Sequence, residues 1–109
     1  TINMQRAKEI EMLEQVLAHP DSGKQTRADA LSQKTDIVRR MEFEAQAQAC
    51  IENLGIKNST VLCGAQNMTV FVPFEYASDE KMRTAMIDAV STITGIGAES
   101  VKIILAKNE

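Results

Sequence analysis

The stretch from Ile37 to Gly55, I-V-R-R-M-E-F-E-A-Q-A-Q-A-C-I-E-N-L-G, reads as the second half of a long helix with a marked end. With Leu54 as the last helical residue, Gly55 takes the position where a left-handed backbone costs glycine nothing. Ile56 can then fold back onto Ile51 in a Schellman stop. Phe43, Ala45, Ala47, Ala49, Cys50 and Ile51 make this end apolar on nearly every side, so it is expected to be buried more fully than its start. The chain after it must supply the rest of a core, and the chain before it forms a helical lead-in. The expected organisation is a lead-in at 1–36 and a compact module at 37–109, within a single structural domain overall, as 109 residues allow.

Upstream, Ile10, Leu13 and Leu17 fall at helical spacing between Asn3 and Ala18, with Arg6, Lys8, Glu9, Glu11 and Glu14 on the polar faces. His19-Pro20-Asp21-Ser22-Gly23 breaks this first helix, because Pro20 disfavours helical geometry at His19. Ser22 with Gln25 has the spacing of a capping box, so the long helix should start near Gly23 and run to Leu54. Downstream, Thr60 to Gly64 and Met68 to Phe74 read as strands joined by a hairpin-length connection, Ala65-Gln66-Asn67. Ser78 can cap a further helix with Asp79 and Glu80 in its first turn and Met82, Met86, Ala89, Val90 and Ile93 as its core stripe. It stops at Thr94-Gly95-Ile96, and Val101 to Ala106 is a last strand.

This order is α, then αββαβ, an α+β fold with a three-stranded sheet and helices packed on one face. A helix between the second and third strands returns the chain parallel to the second strand. The crossover can skip a position, which gives the sheet order 2-1-3. Pro73 points the same way, since a residue without an N–H is tolerated at a sheet edge. Period two then sends Met68, Val70, Val72, Phe74, Val101, Ile103 and Leu105 inward and leaves Leu62, Phe71 and Ile104 on the open face.

Charge narrows the function. The net charge is −3, with nine acids against seven bases up to Leu54 and six against five after it. Neither part carries the basic stripe that phosphate neutralisation needs. No apolar run reaches the roughly 20 residues of a membrane span. The chain starts at Thr1 already in a helical pattern, which is read as a fragment or processed form with room for a membrane anchor upstream.

The residues R-M-E at 40–42 through N-L-G at 53–55, T-V-L-C before the hairpin, M-T-V-F-V after it and G-I-G-A-E-S-V-K-I-I near the end resemble the stage III sporulation protein AH family. The lead-in A-K-E-I-E-M-L-E-Q-V-L-A-H-P-D-S-G-K is similar too. The resemblance implies a single-pass protein of the mother-cell membrane whose domain lies in the intermembrane space around the forespore and has the ring-building fold. It also implies binding to the extracytoplasmic, LytM-like domain of stage II sporulation protein Q, and homo-oligomerisation in a channel or zipper between the two membranes. No contact residue follows from it.

The candidate sites are few. Cys50 and Cys63 are either a disulfide between helix end and first strand or two buried thiols. Two cysteines and one histidine without paired spacing make no zinc site, and no cofactor or metal is expected. His19, at a helix end, suits the negative pole of the helix dipole. It has no nucleophile or orienting carboxylate near it in sequence, so no enzymatic role is expected. Gly95-Ile96-Gly97-Ala98 precedes a strand, whereas a phosphate cradle opens a helix, so it reads as a turn. Arg39-Arg40 is balanced by Asp36, Glu42 and Glu44. What remains is surface: the open-face residues Leu62, Phe71 and Ile104, and the edge formed by Met68, Val70, Val72 and Pro73. These are the expected partner or oligomer interface, unless Pro73 blunts the edge and the first helix covers the face. The expected function is a non-enzymatic assembly module. The alternative is a KH-like RNA-binding domain, which would need a G-x-x-G loop between helices and a basic surface.

Overall fold

The computed structural model of the chain describes residues 2–106, and within these the chain forms two compact units that divide inside one long helix, at Arg39 and Arg40. The first unit contains α1 (Ile2–Ala18) and the start of α2 (Lys24–Asn53). Ile10, Leu13 and Leu17 are all partly buried, and Ala30 of α2 is buried. Small and branched side chains at helical spacing pack this hairpin. The break between the helices works differently from a capping box. The Ser22 hydroxyl reaches back and donates to the Val16 carbonyl at 2.8 Å, and Arg27 donates to the His19 carbonyl at 2.8 Å. Gln25 instead donates to Asp29 one turn on, at 2.9 Å. The polar residues of the break therefore tie off the end of α1 as well as opening α2.

The second unit holds the end of α2, β1 (Thr60–Cys63), β2 (Met68–Val72), a single helical turn α3 (Phe74–Ala77), α4 (Glu80–Thr94), a 3₁₀ turn at Ala98–Ser100 and β3 (Val101–Leu105). The stop after α2 is the expected one. Gly55 has φ +86°, its N–H bonds the Glu52 carbonyl at 2.9 Å, and the Ile56 N–H bonds the Ile51 carbonyl at 3.4 Å. Those two bonds define the Schellman motif, and its hydrophobic contact is in place because Ile51 and Ile56 are both buried. Gly95 ends α4 by the simpler route, with φ +79° and a single bond from its N–H to the Ser91 carbonyl at 2.9 Å. The cap of α4 is Asp79, whose side chain accepts the Met82 N–H at 3.2 Å. Ser78 belongs to the preceding turn, where its hydroxyl donates to the Phe74 carbonyl at 2.8 Å.

The sheet order is β1-β2-β3, which corrects the expected 2-1-3. β3 is parallel to β2, as the helical crossover requires, but it lies directly beside it and not on the far side of β1. The evidence drawn from Pro73 fails for a local reason. β2 ends at Val72, and Pro73 opens α3, its carbonyl accepting the Tyr76 and Ala77 N–H groups at 3.0 Å each. The ladder with β1 stops at Thr60 opposite Phe71, so the missing N–H of Pro73 falls where no β1 residue asks for it. A proline one step past a central strand reads in sequence like a proline inside an edge strand.

Inward and outward alternation holds in the middle of the sheet. Val61, Cys63, Met68, Val70, Val72 and Val101 are buried, and with Ala47, Ile51 and Ile56 from the α2 end and Met86 and Val90 from α4 they form the core. Alternation fails at the margins. Phe74 leaves the strand for α3 and is 67% exposed, and Leu105, at the end of an edge strand, is 49% exposed. Ile93 also emerges from its stripe in the last turn of α4.

Candidate functional site

The two pairings place every open-face residue in register. Thr60, Phe71 and Ile104 form one row across the sheet, and Leu62, Thr69 and Lys102 the next. Leu62 and Phe71 are half-buried and Ile104 is exposed. These two rows are therefore mainly aliphatic, aromatic and threonine, with Lys102 the charged residue among them. Strand formation explains it, since Thr, Phe and Ile fit a pleated surface whichever way they point. Only the pairing brings Phe71 and Ile104, far apart in sequence, side by side.

Of the expected interface residues, Leu62, Phe71 and Ile104 lie together on this face. Met68, Val70 and Val72 do not form an edge: β2 is the central strand, and these three are fully buried on its inner face. Pro73 lies beyond the strand, at the start of α3.

The true edges belong to β1 and β3. The Gly64 N–H bonds the Asn67 carbonyl at 2.8 Å just past the strand, so in the same phase Thr60 and Leu62 are the residues of β1 whose backbone groups face β2. Val61 and Cys63 turn their backbone groups outward. On the other side, the Ala106 N–H bonds the Val72 carbonyl at 2.8 Å, so Lys102, Ile104 and Ala106 face β2, and Val101, Ile103 and Leu105 face out. Two side chains of α2 reach the β1 side of the sheet. The carboxylate of Glu44 accepts the Cys63 N–H at 2.7 Å, and one turn further on, the Gln48 amide donates to the Ser59 hydroxyl at 2.9 Å. In the sequence, Glu44 stands out only as a counter-charge for Arg39-Arg40. The available signal was its spacing, since 44 and 48 lie one helical turn apart beside buried Ala47 and Ile51.

The remaining candidates resolve simply. Cys50 and Cys63 are free thiols, half-buried and buried. The Nδ1 atom of His19 accepts the Asp21 N–H at 3.1 Å, within the turn that follows α1. Gly95 to Ala98 is a helix stop leading into the 3₁₀ turn. Among the described residues there is no group of three or more His, Cys, Asp or Glu placed to hold a metal ion, and no helix long and apolar enough to cross a membrane.

A family model described as SpoIIIAH-like protein matches residues 1–103. Among solved structures, one titled "Structure of the SpoIIQ-SpoIIIAH pore forming complex" contains a chain similar to this one, with a TM-score of 0.75 and 18% sequence identity. The match covers 96% of this chain and 91% of that one, and at this identity it establishes a shared fold. A search of curated proteins finds no match.

Proposed function

Because the chain belongs to the SpoIIIAH-like family, we propose that it is the non-enzymatic interaction module of a membrane-anchored sporulation protein, one that binds SpoIIQ and self-associates between the mother cell and the forespore. The observation that carries this reading is the extent of the family match. It takes in the α1–α2 lead-in as well as the sheet module, so it rests on more than a small α+β fold that many unrelated functions share. The similar chain in the SpoIIQ-SpoIIIAH pore-forming complex supports the same reading at the level of fold. In this proposal the domain lies outside the cytoplasm, anchored in the mother-cell membrane, and contributes to a channel or zipper across the gap. Leu62, Phe71 and Ile104 form its contact surface: three neighbouring apolar side chains of graded exposure are the kind of patch whose burial drives association.

The test is to mix this chain with the extracytoplasmic domain of SpoIIQ and measure mass by light scattering after size exclusion. The expected result is a complex of micromolar affinity or tighter, about −8 kcal/mol or better. A well-folded chain that forms no complex at tens of micromolar would refute the partner assignment.

A further inference from the structure

We propose that Glu44 is an edge guard: by holding the Cys63 N–H, its carboxylate prevents β1 from pairing with β1 of a second copy and so keeps this side of the sheet out of assembly. The inference stands apart from the choice of SpoIIQ as partner. An edge strand with outward N–H and C=O groups is a template for another strand, and proteins that must not associate there cover or disrupt it. Here the outward residues of β1 are Val61 and Cys63, fixed by the register with β2.

Two copies of β1 placed antiparallel about a two-fold axis near Leu62 would match Val61 of each against Cys63 of the other. Each Val61 N–H would meet a Cys63 carbonyl, and each Cys63 N–H a Val61 carbonyl. Glu44 defeats this pairing in two ways. It already occupies the Cys63 N–H, at 2.7 Å and in a part-buried setting, which makes a charge-assisted bond stronger than the neutral one that would replace it. It also sets an acidic side chain in the path of the incoming strand, so a two-fold pair would bring two carboxylates together. Gln48, one turn along α2, holds Ser59 just before the strand. A helix residue separated from Cys63 by 19 positions thus decides which edge of the sheet is usable.

The experiment is sedimentation equilibrium on the wild type, Glu44→Ala and Glu44→Met, with far-UV circular dichroism to confirm folding. Glu44→Met keeps an unbranched side chain of good helix propensity but has neither the carboxylate nor the charge, so it serves if the alanine variant folds poorly. Either folded variant is expected to show a mass rising with concentration toward about twice the wild-type value, with at least tenfold slower hydrogen exchange at the Val61 amide in the associated form. Folded variants whose mass follows the wild type at every concentration overturn the proposal. So does a mass increase without protection of Val61, because association would then be proceeding through another surface.

Discussion

Val70 and Phe71 are neighbours in the chain and lie on opposite faces of the central strand, so placing aspartate at each gives the sharpest check on the sheet. Val70 is fully buried between α2, α4 and the flanking strands. Val70→Asp forfeits about 1.5 kcal/mol or more of apolar burial and places a carboxylate where it has no partner, at an effective cost of several kcal/mol. Together these exceed about 4 kcal/mol, against a total stability of about 5–15 kcal/mol for a domain of this class. Phe71 is half-buried, and Phe71→Asp loses its cross-strand contacts with Thr60 and Ile104, about 0.2–1 kcal/mol each. The lower strand propensity of Asp adds up to about 1 kcal/mol. Urea unfolding followed by circular dichroism should therefore show Phe71→Asp folded and cooperative with a loss of about 1–2 kcal/mol, and Val70→Asp unfolded or nearly so. In the same preparations, Phe71→Asp should weaken the proposed complex with SpoIIQ by at least about tenfold, or 1.4 kcal/mol. A loss above about 3 kcal/mol for Phe71→Asp would make Phe71 a core residue. A near-native Val70→Asp would mean that the alternation is assigned to the wrong faces.

Local geometry supports further predictions. A Cβ at Gly55 would meet nothing within 4 Å, so Gly55→Ala pays only for the left-handed backbone, and a loss of about 1–2 kcal/mol is expected in thermal or urea unfolding. An unchanged midpoint would show that the Schellman stop can be made without glycine. Asp79→Ala should cost about 1 kcal/mol by removing the α4 cap, while Ser78→Ala, whose hydroxyl serves the preceding turn, should cost less. The reverse ranking would return the cap to Ser78.

Much of this protein was legible because it is decided within a few residues. The stop at Gly55 depends on glycine tolerating φ +86° and on an isoleucine at each end of the motif. The alternation that separates Val70 from Phe71 depends only on the pleat. Leu62, Phe71 and Ile104 were assigned to one face on that basis, and the register brings them together. Local sequence is ambiguous where two signals compete. Ser78 and Asp79 are both good capping residues, and choosing between them requires knowing that Phe74 to Ala77 coil into a turn that uses Ser78 first.

The sequence by itself determined the order of elements, the helix stops and the two faces of each strand, because propensity, glycine conformation and side-chain period act over one or two turns of chain. Tertiary structure alone decided which strand lies in the middle. Both sides of the β1–β2 hairpin offer unpaired backbone, and either could receive a strand returning through α4. The choice went to the free side of β2, which buries Met68, Val70 and Val72 completely and moves the edges to β1 and β3. Glu44 follows from that choice, since a carboxylate on α2 has an edge to guard only once β1 lies on the outside.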